Sequence, residues 1–363
     1  AEQVERAIEQ LRGDEQGDRD AAVHDARKRT KKARSALRLV RDDVGQDVRR
    51  AENVAMRDAA RRLAGVRDAQ VLIETLDELA AGSDGAAPPA GAVRALRRRL
   101  VERRDELAAA TQADDAAARS AAELEAVLER AGGWPIDDDG FASARAGLER
   151  IYRRGRRAMG AATEGGDDAA WHEWRKRVKD LWYSLRILRP IAPAQLKGAV
   201  DEADELSDVL GDHQDVAVLR AALEEHAHAL DAEDVERLRE ALDRRRDELR
   251  RAALPLGRRL YAERPKDFAA RVAAYWDARA LQDAVDAVWL SPEVARRVRR
   301  LLAAKASATG GERRRVGAEL RRTGFRVADF ADEVPRRRGG FAVEDFDRLV
   351  KRGSIRVGSG PTG

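Results

Sequence analysis

The chain has 363 residues, of which 43% are hydrophobic, 4% aromatic and 37% charged, with a formal net charge of +4. This is enough apolar material for one or two sizeable cores, and the dominance of Ala, Leu, Arg and Glu over β-branched runs predicts an all-α fold. With no cysteine there is no disulfide framework and no thiolate metal site; no apolar run approaches the roughly 20 residues that cross a bilayer, and the opening AEQVERAIEQ lacks a signal-peptide pattern, so a soluble cytoplasmic protein is expected.

In chain order, a short helix is predicted near 2–12, then a long one over 20–42 that carries VHDARKRTKKARSALRLVR at 23–41. Helices near 46–64 and 67–81 follow, then the loop GSDGAAPPAG at 82–91 and helical material over 91–131. GGWPIDDDG at 132–140 marks a boundary, beyond which helices are predicted near 141–160, 168–189, 194–211, 214–230 and 232–263, with Pro190 and Pro193 ending the second of them. In the remainder, WDARALQDAVDAVWLSPEVARRVRRLL suggests helices, GFAVEDFDRLVKRGSIRV a helix and a short strand, and GSGPTG a loose end. The expected division is a first helical bundle at 4–131, a second at 141–264, a mostly helical region at 266–352 and a flexible tail at 353–363.

The two bundles are expected because the sequence repeats itself. WHEWRKRVKDLWYSLRILR at 171–189 repeats the 23–41 stretch at an offset of 148 residues, matching His24 with His172, Arg27 with Arg175, Lys28 with Lys176, Lys31 with Lys179 and Arg38 with Arg186. LAGVRDAQVL at 63–72 matches LGDHQDVAVL at 210–219 at an offset of 147, setting Asp68 against Asp215. A repeat of this length is a duplicated domain and not a short-period solenoid. Charge follows the same pattern: 23–41 carries +7, 171–189 carries +4 and 266–363 carries +8, while everything else sums to −15. Basic residues gathered on two helices against an acidic background indicate a focused anion site.

At 100° per residue each basic helix separates into two faces. Val23, Ala26, Thr30, Ala33, Leu37 and Val40 form an apolar stripe, as do Trp171, Trp174, Val178, Leu181, Leu185 and Leu188. About a third of a turn away lie His24, Arg27, Lys28, Lys31, Arg34 and Arg38, and in the copy His172, Arg175, Lys176, Lys179 and Arg186, with Trp182 and Tyr183 replacing Arg34 and Ser35. Arg offers bidentate donors to phosphate oxygens and Lys a compact charge, while the two histidines are either further donors or structural imidazoles near the helix starts. Asp68 and Asp215 either hold the guanidiniums in one orientation or begin helices.

These motifs, in this order, resemble the CHAD domain, the conserved-histidine α-helical domain, over roughly residues 4 to 264. The resemblance implies two four-helix bundles related by a pseudo-twofold, whose basic helices line a central groove that binds inorganic polyphosphate. Side chains one turn apart would then meet successive phosphates, converting their mutual repulsion into affinity. It implies a polyphosphate-binding set of His24, Arg27, Lys28, Lys31, Arg34, Arg38, His172, Arg175, Lys176, Lys179, Tyr183 and Arg186, supported by Asp68 and Asp215. The implied role is non-catalytic, with targeting to polyphosphate granules.

Many relatives join such a domain to a β-rich triphosphate-tunnel domain with an ExExK motif, and neither that motif nor its strand pattern occurs here. GxxxxGK[ST], GxSxG and HExxH are likewise missing, and His226 and His228, two residues apart, fall on different helix faces; no catalytic residue, cofactor or metal is expected. The alternative to polyphosphate is a nucleic acid held by the same basic helices, and an enzyme acting on phosphate polymers is a third class. Beyond the resemblance, the clusters within 296–300, 313–315 and 336–338 either touch nucleic acid or polyphosphate or are solvated surface, and the surface reading is favoured.

Overall fold

The computed structural model describes residues 1–13, 19–82, 88–113, 115–136, 141–330, 333–334 and 341–358. Parts of the expected loop 82–91 and boundary 132–140, the end of the tail, and Arg336 to Arg338 lie outside the described residues. Among those described the fold is all-α, with fifteen α-helices and two three-residue strands, and no helix is long and apolar enough to cross a membrane. The chain divides into two compact units, residues 1–273 and 274–363.

The first unit opens with α1 (Glu2–Arg12), α2 (Arg19–Leu39), the single turn α3 (Arg41–Val44), α4 (Gln46–Arg62), α5 (Gly65–Ala81), α6 (Ala90–Ala113) and α7 (Ala116–Ala131). α1, α2, α4 and α7 pack on one another around Ala7, Ala26, Leu37, Met56, Leu124 and Val127. Glu52, buried on α4, accepts two hydrogen bonds from Arg130 of α7 at 2.7 and 2.8 Å, which fastens these helices. α8 (Ala142–Thr163), α9 (Asp168–Leu188), α10 (Pro193–His226), α11 (Ala232–Leu260) and the start of α12 (Pro265–Asp286), which runs on past 273, complete the series.

Local chemistry sets several of these ends. The Asp167 carboxylate accepts from the Ala170 N–H at 2.9 Å to cap α9, Asp231 caps α11 in the same way, and Pro193 occupies the first turn of α10, where its missing N–H costs nothing. Gly147 lets α8 lie against the end of α2, since a Cβ there would overlap the Leu39 backbone.

α5 and α6 pack with each other and against α10 and α11, forming a second core. Leu76, Leu219, Leu223 and Leu238 have no exposed surface there, each contributing about 1.5–3 kcal/mol by burial. The helical material expected over 91–131 is two helices, because α6 stays with α5 while α7 returns to the first core, and Asp115 turns the chain between them at φ 45°. The pair expected at 194–211 and 214–230 is instead the single helix α10, whose N-terminal half packs on α9 and whose C-terminal half joins the second core.

In the second unit, β1 (Val288–Leu290) precedes α13 (Pro292–Ser307), α14 (Gly310–Arg322), α15 (Val343–Arg352) and β2 (Ile355–Val357). β1 and β2 pair in parallel, with Val288 opposite Ile355 and Leu290 opposite Val357. Val298, Leu302, Leu320, Phe325, Phe346 and Leu349 fill the core beneath. The helix and strand expected within 340–357 are α15 and β2; β1, three residues long, gives too short a pattern to be read.

Candidate polyanion cleft

The apolar stripes determine where the basic faces point. Ala26, Thr30 and Leu37 of α2 are buried, as are Trp171, Trp174, Val178, Leu181, Leu185 and Leu188 of α9. With those faces turned inward and the two helices in contact, the neighbouring faces border a cleft of about 620 Å³ walled by α2, α5, α9 and α10. α2 supplies His24, Arg27, Lys28 and Lys31, and α9 supplies Arg175, Lys179, Trp182 and Tyr183. Arg67, Asp68, Val71 and Leu72 come from α5, and Ser207, Asp208, Gln214, Asp215 and Val218 from α10.

Six cations therefore face three carboxylates in one recess. Lys31 is reached by solvent yet surrounded by protein; that enclosure, then Arg27 and Arg175, pushes its pKa down to about 8 against the opposing pull of Asp68. Lys179 is pushed to about 8 by burial and then by Arg175 and Lys31, with Asp208 and Asp215 opposing. Arg175 thus acts on both matched lysines. Burial also raises the Asp215 carboxyl despite Arg175 and Lys179. Arg27 donates to Asp68 Oδ1 at 3.2 Å, which orients that guanidinium along the wall.

Burial, followed by Arg67, Lys28 and Arg27, lowers the His24 pKa, so the cleft disfavours a charged imidazole there. His172 is lowered by burial, with its Gln214 neighbour opposing. Arg175 Nε, Trp182 Nε1 and His172 Nδ1 are buried without a hydrogen-bond partner, and unmet donors of this kind are costly in a folded protein.

Other residues from the expected set do not line the cleft. Arg34 Nε donates to Asn53 Oδ1 of α4 at 3.0 Å, and burial lowers its pKa to about 10. Arg38 reaches across to Asp180 of α9 at 3.3 Å, Lys176 pairs with Glu173 at 2.6 Å, and the Arg186 guanidinium sits 4.8 Å from the Trp182 ring centre. His172 stands behind Gln214 and not on the wall itself. Arg34 and Arg38 have partners on other helices that periodicity could not reveal, whereas Glu173 and Trp182 lie three and four residues from Lys176 and Arg186 on α9 itself. Conversely Arg67, Trp182, Ser207, Asp208 and Gln214 line the cleft without having been singled out as site residues. Arg67 directly precedes Asp68 in the duplicated element, and Trp182 stands where the first copy has Arg34, so both carried a readable signal. Ser207 and Asp208 become legible only once α10 is known to be continuous.

The sequence matches the CHAD domain over residues 2–224, from α1 into α10, which includes every cleft residue. The chain belongs to the CHAD domain family. Comparison with curated proteins gives no match. Within this CHAD domain the use of lysine sets the basic helices apart. The whole chain has 61 Arg and only nine Lys, yet five of those nine, Lys28, Lys31, Lys32, Lys176 and Lys179, fall on α2 and α9. Arg stays charged at any ordinary pH, whereas a Lys ammonium is a compact charge whose pKa responds to its surroundings. Lys31 and Lys179 are the positions where that response is large.

Proposed function

We propose that this CHAD domain protein binds inorganic polyphosphate in the cleft between α2, α5, α9 and α10, as a non-catalytic module that brings its host to polyphosphate granules in the cytoplasm. The observation that carries the reading is the Lys31 and Lys179 pair. Burial first, and then neighbouring cations (Arg27 and Arg175 for Lys31, Arg175 and Lys31 for Lys179), lowers both lysine pKa values to about 8, and a polyanion offsets that crowding of positive charge. The unmet donors of Arg175 and Trp182 support the same ligand, since phosphate oxygens are acceptors only. The cleft's size favours a slender linear chain, and about 620 Å³ is too small to admit a nucleic acid duplex.

The test is incubation with long-chain polyphosphate, followed by gel analysis of the polymer and a competition titration against DNA at matched phosphate concentration. Retention with unchanged chain length and weak competition by DNA is the expected result. Shortening of the chain would assign an enzyme, and displacement by equal DNA phosphate would assign the cleft to nucleic acid. Affinity should fall steeply with salt through counterion release, and a long chain should bind tighter than triphosphate because it reaches both basic helices.

A further inference from the structure

The second unit carries basic charge in a different form. Residues 291–326 contain eleven Arg or Lys and three Asp or Glu, a net +8, whereas 274–290 carries −2 and 327–358 carries +1. The excess therefore belongs to α13 and α14, which pack against each other. Ala295, Val298, Leu302 and Leu320 turn into the core of this unit. Opposite that apolar stripe, Arg296, Arg297 and Arg300 of α13 and Arg314, Arg315 and Arg322 of α14 are exposed on outward faces that lie side by side. Packing has joined clusters that are fourteen or more residues apart in the chain into one surface.

The pairing of these arginines is informative. Arg299, on the flank of α13, is paired with Asp347 of α15 at 2.7 Å, so a carboxylate is within reach of the hairpin. Among the described residues none of the six outward guanidiniums is paired with a carboxylate, although 37% of the chain is charged and helices of the first unit are laced with ion pairs. Like charges three or four residues apart repel, and the three carboxylates of this stretch, Glu293, Glu312 and Glu319, leave it at a net +8.

Shape and chemistry narrow the partner. Unlike the cleft, this face is the open outside of two helices, which suits a broad, regular polyanion. It offers planar donors that grip phosphate oxygens but no ring for a base to stack on, since neither α13 nor α14 contains an aromatic residue. Phe325, Phe330, Phe341 and Phe346 of this unit are all buried in its core. We propose that the α13–α14 face is a sequence-independent binding surface for the phosphate backbone of a nucleic acid duplex, built from residues distinct from those of the cleft. The inference does not rest on the polyphosphate reading.

The experiment uses the full chain and a fluorescent 30-base-pair duplex DNA, with anisotropy read from 50 to 200 mM salt. Six phosphate contacts give an expected slope of about −5 in log affinity against log salt. Arg297→Gln, Arg300→Gln, Arg315→Gln and Arg322→Gln together should weaken binding at least tenfold at low salt and flatten that slope, while Lys31→Ala with Lys179→Ala should leave duplex affinity within twofold. The proposal is overturned if the four-arginine variant binds within twofold of the parent, if the lysine variant loses duplex binding, or if polyglutamate at equal charge displaces the duplex. Should the four-arginine variant fail to fold, phenylglyoxal labelling of the parent decides the matter. Duplex DNA should shield these four arginines from modification, and equal labelling with and without DNA would sink the assignment.

Discussion

Aligned at the offset of 148 residues, α2 and α9 agree on one face and differ on the other. Five basic-face positions hold the same residue type in both helices, from His24 and His172 to Arg38 and Arg186, whereas of the six apolar-stripe positions only Leu37 and Leu185 agree. Val23 and Ala26 correspond to Trp171 and Trp174, and Thr30 to Val178. A core position asks for volume and shape, which neighbouring side chains can supply in many combinations. A position facing a ligand asks for a given charge at a given place. The contrast separates packing from recognition within a single helix. It also shows the limit of the duplication, because His24 and Lys28 border the cleft while their counterparts His172 and Lys176 do not.

The comparison can be broken first through the core. Trp174 has no exposed surface and packs across to Gly257 of α11, so Trp174→Ala should cost about 3–5 kcal/mol in denaturant unfolding. The corresponding change in α2, Ala26→Gly, removes one methyl group and should cost about 1 kcal/mol. Equal losses would mean that the two stripes carry the same load and that their divergence has no packing consequence.

The charged face should give the opposite pattern. Lys31→Ala with Lys179→Ala should not lower stability and should raise it at neutral pH, where burial and nearby cations oppose the two ammoniums, while polyphosphate affinity falls at least tenfold at low salt and its salt dependence flattens. Arg29→Ala with Arg177→Ala removes the same formal charge from the same helices. Arg29 is held by Asp25 at 2.6 Å and Arg177 by Glu173 and Asp180 at 2.6 and 2.7 Å, so this pair should change affinity less than twofold. Similar losses in both variants would make net charge, and not the cleft, the source of affinity.

The smallest expected effect sharpens the role of lysine. The binding form of Lys31 and Lys179 is the ammonium, whose pKa is about 8 in the free protein and should rise against a polyanion. Affinity is therefore full well below pH 8 and declines as pH rises through 8, with protons taken up on binding. Calorimetry at pH 8 in two buffers of different ionisation heat should report that uptake as a difference between the observed heats, and identical observed heats would remove the lysines from the contact. Without ligand the sign reverses. The unfolded chain, with lysine near its usual value of about 10.4, binds more protons between pH 8 and 10, so these two residues make stability rise with pH across that window.

Much of this was readable before any coordinates. The all-α class, the two basic helices and their inward stripes follow from composition and a period of 3.6, because those properties are local, and the Lys31 and Lys179 match follows from the repeat at 148 residues. What periodicity does not contain is the identity of the neighbour. Arg34 and Arg38 belong to the same stripe as Lys31, and only the approach of Asn53 and Asp180 from other helices sets them apart. In the same way α5 has a plain apolar stripe through Ala69, Ile73 and Leu76, but nothing in it says that α10 and α11 will cover it. Gly211 and Asp212 look like a break, and the helix runs through them because packing on both sides outweighs a loss of about 1 kcal/mol for a helical glycine.

That unbroken helix has a mechanical consequence. At 1.5 Å per residue α10 is a rod about 51 Å long, with one end set in the layer made with α9 and the other in the layer made with α5, α6 and α11. Melting either layer alone would strip one end of the rod while leaving the other anchored. The two layers are thereby tied into one cooperative folding unit, and the protein between α1 and α11 should lose its structure in a single transition.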